Sequence, residues 1–320
     1  VLTVIGLVFN DPILKAIGVP NDVFSEASTY LSIYFWSLIF VMIYNMGSGI
    51  LRSVGDSKRP LYFLIFSSII NIVLDFLFVK NFGFGVAGAG YATLIAQAIS
   101  AIMVMYVLMK TEDSYKVVLK DIKFDKEILL KIIKIGLPTG FQQSIVSLSN
   151  VIVQSYINVY GASVIAGYSV TIKIDGFVNL PLQAFNMAIT TFVGQNIGAK
   201  QYNRVKKGAY ITTFLAMVTI GFFVVIMYFF GRDFIALFNQ EKDVIDAGRL
   251  MQLTFLPFYI FLPINQVING VLRGAGHSAV PMYVMIFSFV FLRQFYLFLV
   301  TKVTSDVVYV FLGWPTTWVV

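Results

Sequence analysis

Cysteine is absent from this 320-residue chain, and histidine occurs once, as His277. Without cysteine no disulfide can form, and with a single histidine the usual Cys/His zinc and redox sites are excluded. No GxxxxGKS or GxxxxGKT run occurs, which excludes a Walker-type ATP site. A serine–histidine–acid set would depend on this one histidine, which lies in a polar turn. We therefore expect neither an enzyme nor a bound cofactor.

Charged residues are also scarce. They make up 12% of the chain, whereas hydrophobic residues make up 58% and the mean hydropathy is +0.83. A soluble domain carries about 25% charged residues, so this chain is an integral membrane protein. Its apolar runs are continuous rather than alternating, which excludes a transmembrane β-barrel and predicts an all-α, polytopic helix bundle.

Ten apolar runs are candidates for transmembrane helices, each of which needs about 20 residues. The first run would rise only about 13 Å, so we expect it to be the tail of a longer helix. The runs cover residues 1–9, 24–50, 61–83, 85–109, 128–160, 162–194, 208–230, 244–271, 281–301 and 307–320.

The 23 basic residues are distributed unevenly among the loops. When bases near the ends of the runs are counted with the adjoining loops, alternate loops hold 15 of them and the other loops hold six, while Lys173 and Arg293 lie well inside apolar runs. Lysine and arginine collect in cytoplasmic loops, so the net charge of +7 indicates orientation rather than nucleic-acid binding. The loops predicted to be cytoplasmic are 51–60, 110–127, 195–207 and 272–281.

The longest polar stretch divides the chain. We interpret residues 110–127 as a cytoplasmic linker and expect their charged side chains to lie on a solvated amphipathic surface helix. This linker would separate an N-terminal lobe, residues 1–109, from a C-terminal lobe, residues 128–320.

An internal repeat relates the two lobes at an offset of 221 residues. The segment LRSVGDSKRP at 51–60 returns as LRGAGHSAVP at 272–281, and 9 of the 18 positions from 51 to 68 are identical to their counterparts. Six predicted helices separate the copies, and an even number preserves direction, so the repeats are parallel.

The offset of the repeat also predicts the length of a protein that contains two full copies. The counterpart of residue 128 would lie about 90 residues before residue 1. We therefore expect about 10 transmembrane helices out of an intact 12, in two parallel six-helix repeats. Residues 1–109 would hold the remnant of span 3 and spans 4–6, and residues 128–320 would hold spans 7–12, the last one truncated.

Asp75 is the strongest candidate for a functional side chain. An ionisable residue inside an apolar helix costs about 2.5–3.5 kcal/mol on insertion scales, so it needs compensation. Ser67, Asn71 and Asp75 are spaced by four residues and share one helix face. Their oxygens would suit a hard cation or a proton.

Five motifs in this order carry a family resemblance. The chain resembles the multidrug and toxic compound extrusion (MATE) transporters, nearest to the bacterial DNA-damage-inducible branch. The motifs are LRSVGDSKRP at 51–60, NIVLDFLFV at 71–79, GVAGAGYATLIAQ at 85–97, GLPTGFQQSIVSLSN at 136–150 and GQNIGAK at 194–200.

The resemblance implies a cation or proton site in the first lobe. It assigns Asn71, Asp75 and Thr93 to this site, together with an acid on a helix that would precede residue 1. A sodium ion at Asp75 is the one metal expected. The second lobe carries Leu292 and Tyr296 at the positions equivalent to Asn71 and Asp75, so we expect ion coupling to belong to the first lobe.

Other polar residues inside the runs have two readings each. We expect Asp175 to pair with a base from another helix, with a second substrate-binding carboxylate as the alternative, and Lys173 to seek a different partner. Six polar residues could line a central substrate cavity or form interhelical hydrogen bonds. They are Tyr44, Asn45, Gln142, Gln143, Asn150 and Gln266.

Small residues and prolines predict packing and bending. Gly88, Ala92, Ala96 and Ser100 recur every four residues and predict a close helix-packing face. Four prolines, which can bend helices, interrupt spans of the second half and could act as hinges. They are Pro138, Pro181, Pro257 and Pro263.

The function implied by the resemblance is secondary active export. The protein would be a monomeric, multi-pass antiporter of the bacterial inner membrane. It would expel drug-like, often cationic organic compounds by alternating access, driven by a Na⁺ or H⁺ gradient. Its partners would be small organic substrates and membrane lipid, with no nucleic acid. The alternatives are a lipid-linked oligosaccharide flippase of the same superfamily and a non-transporting membrane receptor or channel.

Overall fold

The computed structural model describes residues 2–319, with Leu2 described for its backbone alone. Within these residues the structure is helical throughout and contains no β-strand, which confirms the predicted all-α fold. The chain forms two compact units, Val1–Lys123 and Phe124–Val320. Their boundary falls inside the segment 110–127, and the assignment of the units to two transporter lobes stays a prediction.

The first unit is built from five α-helices in its described part. Helix α4 continues directly into a π-helical segment, Phe76–Asn81. The helices are α1 (Leu2–Val8), α2 (Asn10–Ala16), α3 (Phe24–Ser53), α4 (Lys58–Asp75) and α5 (Gly85–Lys110).

The helix that begins the first unit extends further than its apolar run predicts. Beyond the run 1–9, α2 carries the helical path to Ala16, and Ile13 N donates to the Phe9 carbonyl at 2.9 Å. The two helices are separated at Phe9 because Pro12 has no N–H to donate to the carbonyl of Val8.

The predicted small-residue face of α5 is confirmed. Gly88, Ala92, Ala96 and Ser100 are all buried in the first unit. A Cβ placed on Gly88 would lie 3.1 Å from the backbone carbonyl carbon of Phe78 in the π-helical segment, so the two backbones approach closely here.

The predicted surface helix in the linker is wrong. Helix α5 ends at Lys110, α6 begins at Lys126, and only a 3₁₀ turn, Leu119–Asp121, lies between them. Thr111 Oγ1 donates to Asp113 Oδ2 at 2.8 Å, and this local bond competes with helix continuation. Hydrogen bonds from Tyr115 and Thr111 lower the pKa of Asp113. Asp125 then caps α6, accepting from the backbone N of Glu127 and Ile128.

The second unit contains the remaining helices of the described chain. A 3₁₀ segment, Leu256–Ile260, joins α9 to α10, and a π-helical segment, Ile286–Leu292, joins α11 to α12. The helices are α6 (Lys126–Ile157), α7 (Ala162–Gly198), α8 (Tyr202–Ala236), α9 (Lys242–Phe255), α10 (Phe261–Gly274), α11 (Ala279–Met285), α12 (Arg293–Val303), α13 (Val307–Phe311) and α14 (Pro315–Val319).

Six helical segments among the described residues are long and apolar enough to cross a membrane. Helices α6 and α7, with 32 and 37 residues, are long enough but carry more polar residues. The last predicted run, 307–320, is divided at Leu312–Trp314 into α13 and α14. The six segments are Phe24–Ser53, Lys58–Asn81, Gly85–Lys110, Tyr202–Ala236, Lys242–Gly274 and Ala279–Val303.

The four prolines differ in their positions in the helices, and bending at them stays a prediction. Pro138 and Pro181 lie inside α6 and α7, which continue past them. Pro263 lies within α10. Only Pro257 coincides with a change of helix type, in the 3₁₀ segment Leu256–Ile260.

The repeated loops have the same backbone geometry. Gly55 and its counterpart Gly276 have φ angles of 90° and 82°, a left-handed conformation that favours glycine. The next residue closes each helix end: Asp56 N donates to Leu51 O at 2.9 Å, and His277 N donates to Leu272 O at 2.8 Å. Both loops therefore end their helices with the same Schellman-type cap.

Candidate functional site

The predicted ion site lies at the junction of α4 and its π-helical extension. Asp75 is the last residue of α4, and the π-helix Phe76–Asn81 begins immediately after it. π-Helical turns are rare and often occur at functional sites. Asn71 and Asp75 are both half-buried within the candidate span Lys58–Asn81.

One buried polar atom of each side chain in this pair has no hydrogen-bond partner among the described residues. Asp75 Oδ1 and Asn71 Nδ2 are both buried and make no hydrogen bond. Buried polar atoms are normally paired, so each atom needs an explanation. A carboxylate oxygen can bind a cation or a proton, and rotating the Asn71 amide would present a second oxygen on the same helix face.

The other proposed ligands, Ser67 and Thr93, lie on α4 and on the neighbouring helix α5. Ser67 is buried, and its hydroxyl donates to the Leu64 carbonyl at 3.1 Å. Its oxygen lone pairs therefore stay free to bind a cation. Thr93 is half-buried on α5, which packs along α4. Asp75 and Thr93 lie about 9 Å and 12 Å along their helices from the turn between them, so they sit at similar depth.

The second unit does not reproduce this pair. Leu292 and Tyr296 occupy the equivalent positions, and the Tyr296 hydroxyl donates to the Tyr309 carbonyl at 2.9 Å. Here the π-helical segment ends at Leu292, and the next residue is the buried Arg293.

The predicted cavity residues divide into bonded and exposed side chains. Asn45 and Gln143 are exposed. The side chains of the other four make hydrogen bonds to neighbouring segments, and a role in a substrate cavity stays a prediction for all six. The bonds are Tyr44 Oη to Pro60 O, Gln142 Nε2 to Ser278 O, Arg293 Nη1 to Asn150 Oδ1, and Asn186 Nδ2 to Gln266 Oε1.

The predicted ion pair of Asp175 is wrong. Its carboxylate accepts hydrogen bonds from the Tyr259 hydroxyl and, at 3.1 Å, from the Asn179 amide. No basic side chain lies within ion-pair distance of it in residues 2–319. The 3₁₀ segment Leu256–Ile260 carries Tyr259. Lys173 has a different partner, as expected, with its Nζ 6.0 Å from the centre of the Phe238 ring.

Arg293 is the centre of a polar cluster whose partners could not be assigned from sequence. It is 1% exposed, and the described residues contain no carboxylate within ion-pair distance of it. Its guanidinium instead donates to four oxygens on neighbouring segments. They are Gly313 O at 3.1 Å, Asn150 Oδ1 at 3.1 Å, Ser149 Oγ at 3.3 Å and Thr317 Oγ1 at 2.8 Å.

Aromatic rings surround the same region of the second unit. The Arg293 guanidinium carbon lies 4.4 Å from the centre of the Phe289 ring and 5.4 Å from Trp314. Trp314 continues into a cluster with Phe255, which also packs against Trp318 at 5.3 Å. These ring faces help to offset the desolvation of the buried charge.

A second polar network joins α6, α7 and α10. Arg273 donates to Asn186 Oδ1 at 3.2 Å and contacts Gln142 Oε1 at 3.5 Å. Asn186 also donates to the Gln266 carbonyl. Arg273 was assigned to a loop from sequence, whereas α10 continues to Gly274, so its side chain lies beside these helices.

Comparison with known proteins identifies the family. The MatE family model matches residues 1–77 and 138–298. The chain belongs to the MatE family. Members of this family are membrane transporters rather than enzymes. Together with the six apolar helices, membership indicates a multi-pass protein of the bacterial inner membrane.

Three relatives of this MatE chain come from bacteria. It is 30% identical to the probable multidrug resistance protein YoeA of Bacillus subtilis (strain 168), over 100% of this chain and 71% of that protein. It is 27% identical to the probable multidrug resistance protein NorM of Thermotoga maritima, over 84% and 58%. It is 22% identical to the multidrug export protein MepA of Staphylococcus aureus (strain MSSA476), over 87% and 61%. The chain thus spans 58–71% of the length of these relatives.

Solved structures support the fold. One of an outward-facing multidrug resistance MATE family transporter of the MOP superfamily aligns with a TM-score of 0.90 at 23% identity, covering 99% of this chain and 72% of that chain. Another, of MATE in the bent conformation, gives a TM-score of 0.91 at 23% identity, covering 99% and 71%. The assignment to the DNA-damage-inducible branch stays a prediction.

Proposed function

We propose that this chain is part of a secondary active exporter of drug-like, often cationic organic compounds. Membership of the MatE family supports transport, and the names of three relatives support multidrug substrates. The observation that carries the coupling is the unpartnered Asp75 carboxylate oxygen on a membrane span, beside the equally unpartnered Asn71 amide.

The coupling ion would act by binding one conformation better than the other. A sodium ion or a proton at Asp75, with Asn71 and Thr93 as further ligands, neutralises a carboxylate that is costly in an apolar span. If this conformation also binds the organic substrate more weakly, the ion drives substrate release, and substrate binding in turn weakens ion binding. Alternating access of the two lobes would then give export.

Replacing Asp75 tests the proposed coupling. Asp75→Asn removes the charge while keeping the shape and one oxygen. We expect gradient-driven efflux of a fluorescent organic cation to fall at least about fivefold, since couplings between sites are usually of this size or larger. The measurement uses the intact protein in membrane vesicles, with sodium and pH gradients imposed separately.

The control is Asp121→Asn, which removes an exposed carboxylate outside the spans. It should transport like the unaltered protein, and protein levels of both variants should match. Undiminished gradient-driven efflux by Asp75→Asn would rule out this site as the coupling site. Efflux that responds to neither gradient would refute secondary active transport.

The basic residues inside the spans disfavour the flippase alternative. A flippase for lipid-linked oligosaccharides would need free basic side chains in a cavity to bind phosphate groups. Arg293 is buried, with its donors bonded to protein oxygens, and Lys173 lies near the Phe238 ring. A receptor or channel would show no substrate efflux in the same vesicles.

A further inference from the structure

A cleft lies between α7 and α8 in the second unit, and none of its lining residues belongs to the proposed ion site. Its volume is about 410 Å³, and its wall is mainly apolar. Ile189 and Phe192 line it from α7, and Ile211 lines it from α8. The Phe192 ring packs directly against Gly208: a Cβ added to this glycine would lie only 2.2 Å from a ring atom. The absent side chain therefore leaves room for the ring between the helices.

Two basic side chains stand at the edge of this cleft. Arg204 and Lys207 both line it and are three residues apart on α8, so they project from neighbouring positions. Both are exposed, and neither forms an ion pair in the part of the chain that the structure describes. No acidic residue occurs between Asp175 and Asp233. The charged side chains in this stretch of the chain are therefore all positive.

The cleft lies at the depth of lipid headgroups. Helix α8 is a candidate span that begins at Tyr202, and Lys207 is within about 8 Å of its start. Tyr202 and Tyr210 are 60% and 78% exposed, as expected of tyrosines at a membrane–water interface. Phe214, one turn further, is 64% exposed and marks the hydrocarbon region. The bases therefore face headgroups, while the apolar wall continues toward the acyl chains.

We propose that this cleft binds one anionic phospholipid of the surrounding membrane. Its phosphate lies between Arg204 and Lys207, and one acyl chain lies against Ile189, Phe192 and Ile211. Phosphate and hydrocarbon together match the two bases and the apolar wall. An organic cation would be repelled by the same bases, so the site is separate from that of the exported substrate. This inference goes beyond the proposed function and does not depend on it.

Photocrosslinking in lipid nanodiscs tests the proposal without measuring transport. The probe is phosphatidylglycerol with a photoreactive group in its acyl chain, in a phosphatidylcholine background. We expect crosslinks on residues 188–212 of the intact protein, competed by unlabelled phosphatidylglycerol. The double variant Arg204→Gln/Lys207→Gln should bind the probe about 30-fold more weakly, because it removes two charges at the membrane surface.

Two further variants distinguish binding in the cleft from general attraction of lipid to a basic surface. Lys120→Gln/Lys123→Gln removes two exposed charges of the same spacing that do not line this cleft, and it should leave crosslinking unchanged. Ile211→Trp fills the cleft while keeping both bases, and it should also reduce crosslinking on residues 188–212. Thermal midpoints equal to that of the unaltered protein would show that the variants fold.

Four results would overturn the proposal. Equal losses in the two double variants would mean general surface attraction. Unchanged crosslinking in Ile211→Trp would mean that the cleft holds no acyl chain. Competition by phosphatidylcholine as strong as by phosphatidylglycerol, or displacement by millimolar inorganic phosphate, would mean that the site does not select an anionic lipid.

Discussion

At the scale of single residues, Arg293 shows how a membrane protein keeps a charge without a counterion. It is the one charged side chain among the buried residues of the described chain. Carbonyl, amide and hydroxyl oxygens accept its hydrogen bonds, and two aromatic rings flank its guanidinium. Arginine suits this site because its planar fork can reach several acceptors at once. The side chain thus joins α6, α12 and the segment 313–317.

Replacing Arg293 should destabilise the second unit. Arg293→Met keeps much of the apolar bulk but leaves Asn150 Oδ1 and other oxygens without a charged donor. We expect the free energy of unfolding to fall by about 2–3 kcal/mol, and the thermal midpoint by about 5–10 °C. Fluorescence-detected size exclusion after heating measures the midpoint.

The matched control for this variant is Lys302→Met on the same helix. The Lys302 ammonium lies 4.0 Å from the centre of the Phe298 ring but is exposed, so its removal should cost less than about 1 kcal/mol. Equal midpoints for the two variants would show that the buried cluster does not stabilise the fold.

At the scale of elements, a close contact between α7 and α9 in the second unit depends on two glycines. A Cβ on Gly167 of α7 would lie 2.7 Å from the backbone N of Gly248 and 2.8 Å from the Val244 carbonyl oxygen on α9. Backbone atoms cannot rotate away as a flexible side chain can. This approach also brings Thr171 Oγ1 within 3.1 Å of the Gly248 carbonyl.

Substituting Gly167 should therefore separate α7 from α9. We expect Gly167→Ala to lower the free energy of unfolding by about 1–3 kcal/mol through overpacking. Gly176→Ala on the same helix is the control, since a Cβ there meets no atom within 4 Å. It should be neutral or stabilising by up to about 1 kcal/mol, because alanine favours helix more than glycine does. Thermal midpoints that fall equally would contradict this explanation.

Helix positions were largely predictable from sequence, but their partners were not. The face of Gly88, Ala92, Ala96 and Ser100 was predictable because its residues recur at helical spacing. Gly167 and Gly248 contribute one residue per helix, so no periodic pattern marks their contact. The partner of Asp175 was mispredicted because Tyr259 is aimed at it by a 3₁₀ segment, which the apolar run 244–271 does not reveal.

In the candidate ion site, too, the residues were predictable from sequence but their bonding was not. Asn71 and Asp75 were identifiable because polar residues at a four-residue spacing are costly in an apolar run. Their unpaired atoms became visible only in the structure, since pairing depends on the neighbours of α4. The prediction of a surface helix in the linker was wrong because it rested on the charge pattern alone. That pattern does not reveal the local hydrogen bond between Thr111 and Asp113.

At the scale of the whole molecule, the two units share a repeated loop but differ in their buried chemistry. Gly55 and Gly276 adopt the same conformation at the 221-residue offset. In contrast, the first unit carries an unpaired carboxylate oxygen, whereas the second carries a fully bonded arginine. A repeat conserves the backbone that both copies need, while the side chains inside each copy can diverge. This difference supports placing ion coupling in the first unit.

The loop charges predict the orientation of the molecule in the membrane, and introduced cysteines can measure it, because these 320 residues contain no cysteine of their own. Ser57→Cys lies in the basic loop 51–60, and Ser305→Cys lies in the loop before α13; both serines are exposed. The Ser57 side chain makes no capping bond, so its replacement should be tolerated. In intact spheroplasts, a membrane-impermeant maleimide should label Ser305→Cys, and it should label Ser57→Cys only after permeabilisation. The reverse pattern would invert the predicted topology. Labelling of both cysteines from outside would mean that the two loops lie on the same side of the membrane.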